Sequence, residues 1–220
     1  MTSADLNEKY SRQTILPGVG PEGQKKWNDA HVLLAGDGTA LLAGVQALSS
    51  VGVSKITLLV HEHFDPSFLV SNPPQINVEA IPMMAQLPSF TAALVVSPST
   101  KLRRQLNRAF RKNHQPAVFA WPSGSGFALF TSRYQNGCPC LECFEVLNPK
   151  AFSKGGHSID RLLGASAASE VLELILNGDS PLENKVWITA LESGLSVKHE
   201  VMPTYKCPAK MIEDGAVVTP

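Results

Sequence analysis

The sequence predicts an α/β domain built on a parallel sheet, and three observations carry that expectation. Val32 to Ala35 is an apolar run closed by Gly36-Asp37-Gly38. Leu41, Leu42, Val45 and Leu48 then recur at helical spacing up to Gly52. Lys55 to Val60 is a second β-rich run. Strand, glycine turn, helix and strand within about 30 residues make a βαβ unit, whose strands lie parallel.

The remaining elements follow in order. Asn77 to Ile81, Ala93 to Val96 and Ala117 to Trp121 read as further strands. A helix from about Leu102 to Asn113 separates the last two, with Leu102, Leu106, Ala109 and Phe110 on one face. The C-terminal third has a different grain. Phe127 to Ser132, Lys185 to Ala190 and Ser196 to Val201 read as strands. A long helix from Ser158 to Asn177 lies between the first two, capped by Ser158 and ended by Asn177-Gly178. There is no internal repeat, low-complexity tract or long linker. The expected organisation is an N-terminal arm over residues 1–30 and a single α/β domain over 31–220.

Composition excludes several function classes. Hydrophobic residues make up 44% and charged residues 17% of 220, enough apolar content for a core and too much for a disordered chain. Nineteen basic residues balance nineteen acidic ones, which argues against a nucleic-acid binder. Apolar runs such as Ala117 to Trp121 are far short of the roughly 20 residues a membrane span needs. The N-terminus, with Asp5 and Glu8, lacks the apolar stretch of a signal peptide. Three of four cysteines crowd into Cys138, Cys140 and Cys143, which points to metal or thiol chemistry in a reducing, cytoplasmic setting.

Tyr10-Ser11-Arg12-Gln13, Leu16-Pro17, Gly20, Glu22-Gly23-Gln24 and Lys26 open the chain ahead of the first strand and its glycine turn. Val51-Gly52-Val53, Asn77 to Pro82, Pro139 to Phe144, Leu191 to Gly194 and Lys206-Cys207-Pro208 follow in order. From about Lys9 to Lys210 this series resembles the ThiF/MoeB/HesA proteins of the ubiquitin-like-protein activating superfamily. The resemblance implies a Rossmann-like, doubly wound, mostly parallel sheet extended by antiparallel strands in the C-terminal third. It also implies a dimer that adenylates the C-terminal glycine of a ubiquitin-like carrier with ATP and magnesium. In many relatives a cysteine, a thiol or a rhodanese partner then takes up the activated carboxylate.

The catalytic parts that the resemblance implies are poorly kept. Gly36 and Gly38 fill two positions of a G-x-G-x-x-G turn, the two candidate nucleotide-binding residues, but Leu41 fills the third and Asp37 adds a negative charge. A turn that needs glycine only for its geometry is the favoured reading. Val60 stands where relatives end the second strand with an acid for the ribose, and Glu62 or Asp65 would need another backbone path. Ser71 and Asn72 stand where an Arg-Gln pair meets the phosphates, and the lysine-bearing helix that follows is missing before Pro73-Pro74. Ser97-Pro98-Ser99-Thr100 replaces an Asp-x-x-Asp magnesium pair, and hydroxyls are weak magnesium ligands. The loop from Asn148 to Gly156 has no cysteine. Arg12 survives, either as a catalytic arginine lent across a dimer or as a surface residue of the arm. Tyr10 and Gln13 are expected to fix that arm.

Cys140-x-x-Cys143 has zinc-ligand spacing. The resemblance pairs it with Cys207, while Lys210 holds the place of a fourth cysteine. The expected ligands of a structural zinc are Cys140, Cys143 and Cys207, with Cys138 as the candidate fourth; four reduced thiols are the alternative. His61-Glu62-His63 reads as a solvated strand end and His157 as loop. Lys101, Arg103, Arg104, Arg108, Arg111 and Lys112 form one acid-free stretch, expected to be a solvated helix face, with an acidic partner or anion as the alternative.

The sequence therefore predicts a family member with a degraded ATP site. It would act as a homodimer, or as a heterodimer with an active paralogue, binding a ubiquitin-like carrier or peptide and contacting no nucleic acid or membrane. One alternative is an active ATP-dependent adenylyltransferase. Another is a small-molecule binder that reuses the crevice above Gly36 and Gly38.

Overall fold

The computed structural model of the chain describes residues 9–36, 38–60, 77–82, 87–135, 138–147, 157–204 and 206–213. An N-terminal pair of helices, α1 (Ser11–Thr14) and α2 (Gly20–Asp29), precedes β1 (His31–Gly36), α3 (Gly38–Ser50) and β2 (Lys55–Val60). Then come β3 (Asn77–Pro82), β4 (Ala92–Val96), α4 (Thr100–Lys112), β5 (Ala117–Ser123) and β6 (Gly126–Ser132). The chain continues through α5 (Leu141–Leu147), α6 (His157–Asn177), β7 (Lys185–Ala190), β8 (Leu195–Glu200) and α7 (Pro208–Glu213). His157, expected in a loop, opens α6.

These strands form one eight-stranded sheet in the order β3-β2-β1-β4-β5-β6-β7-β8. The first five are parallel, with Val32 of β1 opposite Ile56 of β2 and Ala92 of β4. The last three run antiparallel, with Phe119 of β5 opposite Phe130 of β6. The Rossmann-like sheet with an antiparallel C-terminal extension is thus the observed fold. Its central strands are apolar over most of their length because both faces are covered.

Alternation along the strands splits the core in two. Val32, Leu34, Leu58, Leu94 and Val96 meet α3 and α6 on one face. Leu33, Ala35, Val95, Phe119 and Trp121 meet α4 and the cysteines on the other. Phe110 is fully buried between Phe90 and Phe119; burying such a ring stabilises the fold by about 1.5–3 kcal/mol.

The N-terminal helices dock where the βαβ unit turns. Trp27 Nε1 donates to Leu172 O at 3.1 Å, and Lys26 Nζ to Leu176 O at 2.6 Å, both on α6. Gln24 Nε2 donates to Val51 O at 2.8 Å. Tyr10 is buried beside Gly52, and Gln13 reaches Ser50 O.

Helices α3 and α6 cross backbone to backbone at Gly164. A Cβ there would lie 2.0 Å from the Ala40 carbonyl oxygen. Neither backbone can yield cheaply in a close-packed layer. Gly164→Ala is therefore expected to cost at least about 2 kcal/mol, read as a lower denaturant midpoint; a midpoint like that of the unsubstituted protein would mean the helices separate easily.

Candidate functional site

In an open sheet of this kind the ligand crevice lies outside the C-terminal ends of the strands, where the strand order reverses. Here that is the gap above β1 and β4. Gly36 closes β1 with φ at 145°, and a Cβ on it would stand 2.0 Å from Val96 O of the neighbouring strand. Only glycine fits, so its first role is to let β1 and β4 close. Gly38 starts α3 with φ at 64° and open space around its Cα. Leu41, in the third turn position, is buried in the core against the sheet.

On the β4 side the chain turns through Ser97, Pro98 and Ser99 into α4. Every hydroxyl there has a local task. Ser97, only 1% exposed, accepts the Ser99 N–H on its Oγ at 3.1 Å. Ser99 Oγ caps α4 by accepting the Leu102 N–H at 3.3 Å. Thr100 Oγ1 accepts from Arg103 Nη2 at 3.1 Å.

Arg103 lies beneath this turn and is fully buried. Its Nη1 donates to Ser97 O at 2.6 Å, its Nη2 lies 3.7 Å from Glu145, and its guanidinium stacks on Trp121 at 5.1 Å. Burial lowers its pKa to about 10, against the opposing pull of Glu145, and it stays protonated at neutral pH.

The basic helix is only in part the solvated face the sequence suggested: Lys101, Arg104 and Lys112 are exposed, whereas Arg103 is buried and Arg108 half-buried. Arg104 Nε donates to Glu145 Oε2 at 2.5 Å. Arg108 grips Glu142 with two bonds, Nε to Oε1 at 2.9 Å and Nη2 to Oε2 at 2.6 Å. Both acids are buried and both belong to α5, the helix carrying Cys143. Burial pushes the Glu145 carboxyl above its usual range, although Arg104 and Arg103 pull it down. The stretch is acid-free in sequence because its acids come from another element. Asn107, also buried, ties the same helix: it accepts the Leu141 N–H at 3.2 Å and the Tyr134 hydroxyl at 3.0 Å, and donates to Glu142 at 3.0 Å. The sequence placed Arg103 on the solvated face and did not single out Asn107; the signal available was Glu142 and Glu145 beside Cys143.

This scaffold holds a cysteine cluster. Cys140 Sγ is 3.4 Å from Cys207 Sγ and 4.0 Å from Cys143 Sγ, and all three thiols are buried. Hydrogen bonds from Cys140 and Cys207 lower the Cys143 pKa, the bond with Cys143 raises that of Cys140, and bonds with Cys140 and then Cys143 raise that of Cys207. Zinc–sulfur bonds of about 2.3 Å in a tetrahedron suit separations of this size, and the three thiols fit a metal ion. Cys138 is not among the sulfurs that lie within 4.8 Å of one another; its Sγ faces Asn184 Nδ2 at 3.7 Å.

The other sequence-predicted residues are apart from these two places. Arg12 is exposed on α1. Val60 ends β2 as expected. Asp37, His61, Glu62, His63, Asp65, Ser71, Asn72 and the loop 148–156 lie outside the described residues. Among the described residues, no helix is long and apolar enough to cross a membrane.

Over 94% of its length the chain is similar to the vegetative HesA protein of Trichormus variabilis, at 27% identity and covering 90% of that protein. A stretch of 62 residues, 28% of this chain and 23% of the relative, is 36% identical to the sulfur carrier protein adenylyltransferase of Thermus thermophilus. Among solved structures, E. coli MccB with ATP superposes with a TM-score of 0.72 at 16% identity, over 92% of this chain and 74% of that one. No family model matches the chain. The structural likeness speaks for the fold; the HesA likeness runs through sequence as well.

Proposed function

We propose that the chain, similar along nearly its whole length to a HesA protein, is a member of the ThiF/MoeB/HesA family and, within it, a dimeric partner or scaffold subunit with a degraded ATP site, not a self-sufficient adenylyltransferase. The observation that carries this reading is the turn after β4. Ser97, Ser99 and Thr100 spend their hydroxyls on the turn, the helix cap and Arg103, and the turn offers no carboxylate to a magnesium ion. The buried Arg103 is likewise committed to Ser97, Thr100 and Glu145. Charge developing on a triphosphate would find no fixed counter-charge from these residues. The residues at this turn do not fit ATP and magnesium, and no chemical step is assigned to them.

Arg12, exposed on the N-terminal helix, is available to enter the site of an active partner chain. MccB has been solved with the peptide MccA, which supports a peptide or carrier C-terminus as the class of molecule bound. Cys140, Cys143 and Cys207 would hold a zinc ion. When bound, it would supply a structural cross-link between α5 and α7.

Calorimetry with magnesium and ATP, at concentrations that register millimolar affinity, tests the proposal. No binding heat and no pyrophosphate exchange with a candidate carrier are expected. Clear binding with exchange would overturn it and restore the active adenylyltransferase reading.

A further inference from the structure

The cysteine cluster is buried but not sealed. Cys143 and Cys207 form part of the wall of a cleft of about 340 Å³, completed by Cys138, Arg111, Pro203, Thr204 and Lys210. That volume is large enough for a small molecule. Three thiolates around a dication leave one net negative charge and one coordination position to fill. Of the nearby donors, Cys138 faces Asn184 and not the cluster. Lys210, one turn beyond Cys207, is exposed, and its ammonium group is a donor with no acceptor lone pair. Arg111 adds a second cation to the same cleft. A thiophilic ion beneath a cationic rim favours a soft, anionic fourth ligand.

We propose that the cluster binds zinc through Cys140, Cys143 and Cys207 only, and that its fourth position opens to the cleft and takes a small exogenous thiol. The thiol would bind as thiolate through a new sulfur–metal bond, displacing water and releasing its proton to solvent. Lys210 and Arg111 would draw the anion in. This rests on the zinc reading above, and the test separates the two.

The full chain is stripped of metal, loaded anaerobically with cobalt(II), and its sulfur-to-cobalt charge-transfer absorption measured, since that intensity grows with the number of thiolates bound. Cys138→Ser is expected to leave the intensity unchanged, while Cys207→Ser lowers it by about one third. Titration with 2-mercaptoethanol is expected to raise it by about one third as a fourth sulfur joins three. Lys210→Glu, on the exposed rim, is expected to weaken that titration about tenfold by reversing a rim charge. A loss of about one quarter in Cys138→Ser, or no response to the thiol, would overturn the open position while leaving a metal site in place. Failure to take up cobalt at all would overturn both readings.

Discussion

Arg108→Ala is expected to lower the free energy of unfolding by about 3 kcal/mol. The reason is asymmetry within one ion pair. Arg108 is 39% exposed along its side chain, whereas Glu142 is 1% exposed and accepts both of the arginine's bonds. Removing the arginine strands a carboxylate inside the protein with Asn107 as its remaining side-chain donor. Breaking a buried pair this way costs about 3–5 kcal/mol. The lower end applies because water can follow into the space the arginine leaves. For a chain of this length, that corresponds to a melting temperature lower by about 6–12 °C. Adding Glu142→Gln should restore about half the loss, since the amide brings no charge and Asn107 can still bond to it. Thermal unfolding of the single and double variants checks this. A single variant within about 0.5 kcal/mol of the parent, or a double variant no better than the single, would show that α4 and α5 are held by packing alone.

Glu170→Gln is expected to act in the opposite direction and only at high pH. Glu170 lies on α6, 8% exposed, accepting from Thr131 Oγ1 at 3.1 Å and from Ser180 Oγ. Burial, helped by Glu173, raises its pKa from 4.5 to about 7, against the weaker pull of Thr131 and Lys198. Between those values the folded chain holds a proton that the unfolded chain has released. The stability this group contributes is therefore complete below about pH 4.5 and is lost as pH rises through about 7. The loss amounts to about 3 kcal/mol once the carboxylate is fully charged. A neutral glutamine removes that dependence. The variant should match the parent at pH 4 and exceed it at pH 8 by about that amount, as measured by denaturant unfolding at each pH. Parallel stability curves across this range would mean that the carboxyl is charged and satisfied at pH 8.

The sheet was legible in the sequence because its signals are local. Val32 to Ala35 and Ala93 to Val96 are continuous apolar runs, Lys55 to Val60 is β-rich, and Gly36 marks a strand end where a side chain would strike Val96. The cysteine cluster was legible in part, since the spacing of Cys140 and Cys143 is local even though Cys207 is not. The ion pairs of the basic helix were illegible for the opposite reason. Arg108 meets its acid 34 residues away and Arg104 meets its own 41 residues away. Helical periodicity describes one element at a time and cannot report a partner on another. The same limit hid Arg103, a charged residue fully buried against Trp121, which any pattern of exposed polar positions assigns to solvent. At Ser97 to Thr100 the sequence told of absent carboxylates; the cap and the arginine bond that now occupy those hydroxyls required the fold.

The sulfur cluster also sets a condition on how the chain reaches its folded form. Cys140 and Cys207 are 67 positions apart, and α6, β7 and β8 lie between them. In the unfolded chain, bringing those sulfurs together means closing a long loop, whose entropy loss grows with the logarithm of its length. Any link through them then withholds that freedom from the unfolded ensemble, an effect of about 4 kcal/mol for a covalent bridge over such a loop. The cluster would thus form late, after the antiparallel strands have paired. Once closed, it would act mainly by slowing the separation of the C-terminal segment from the sheet.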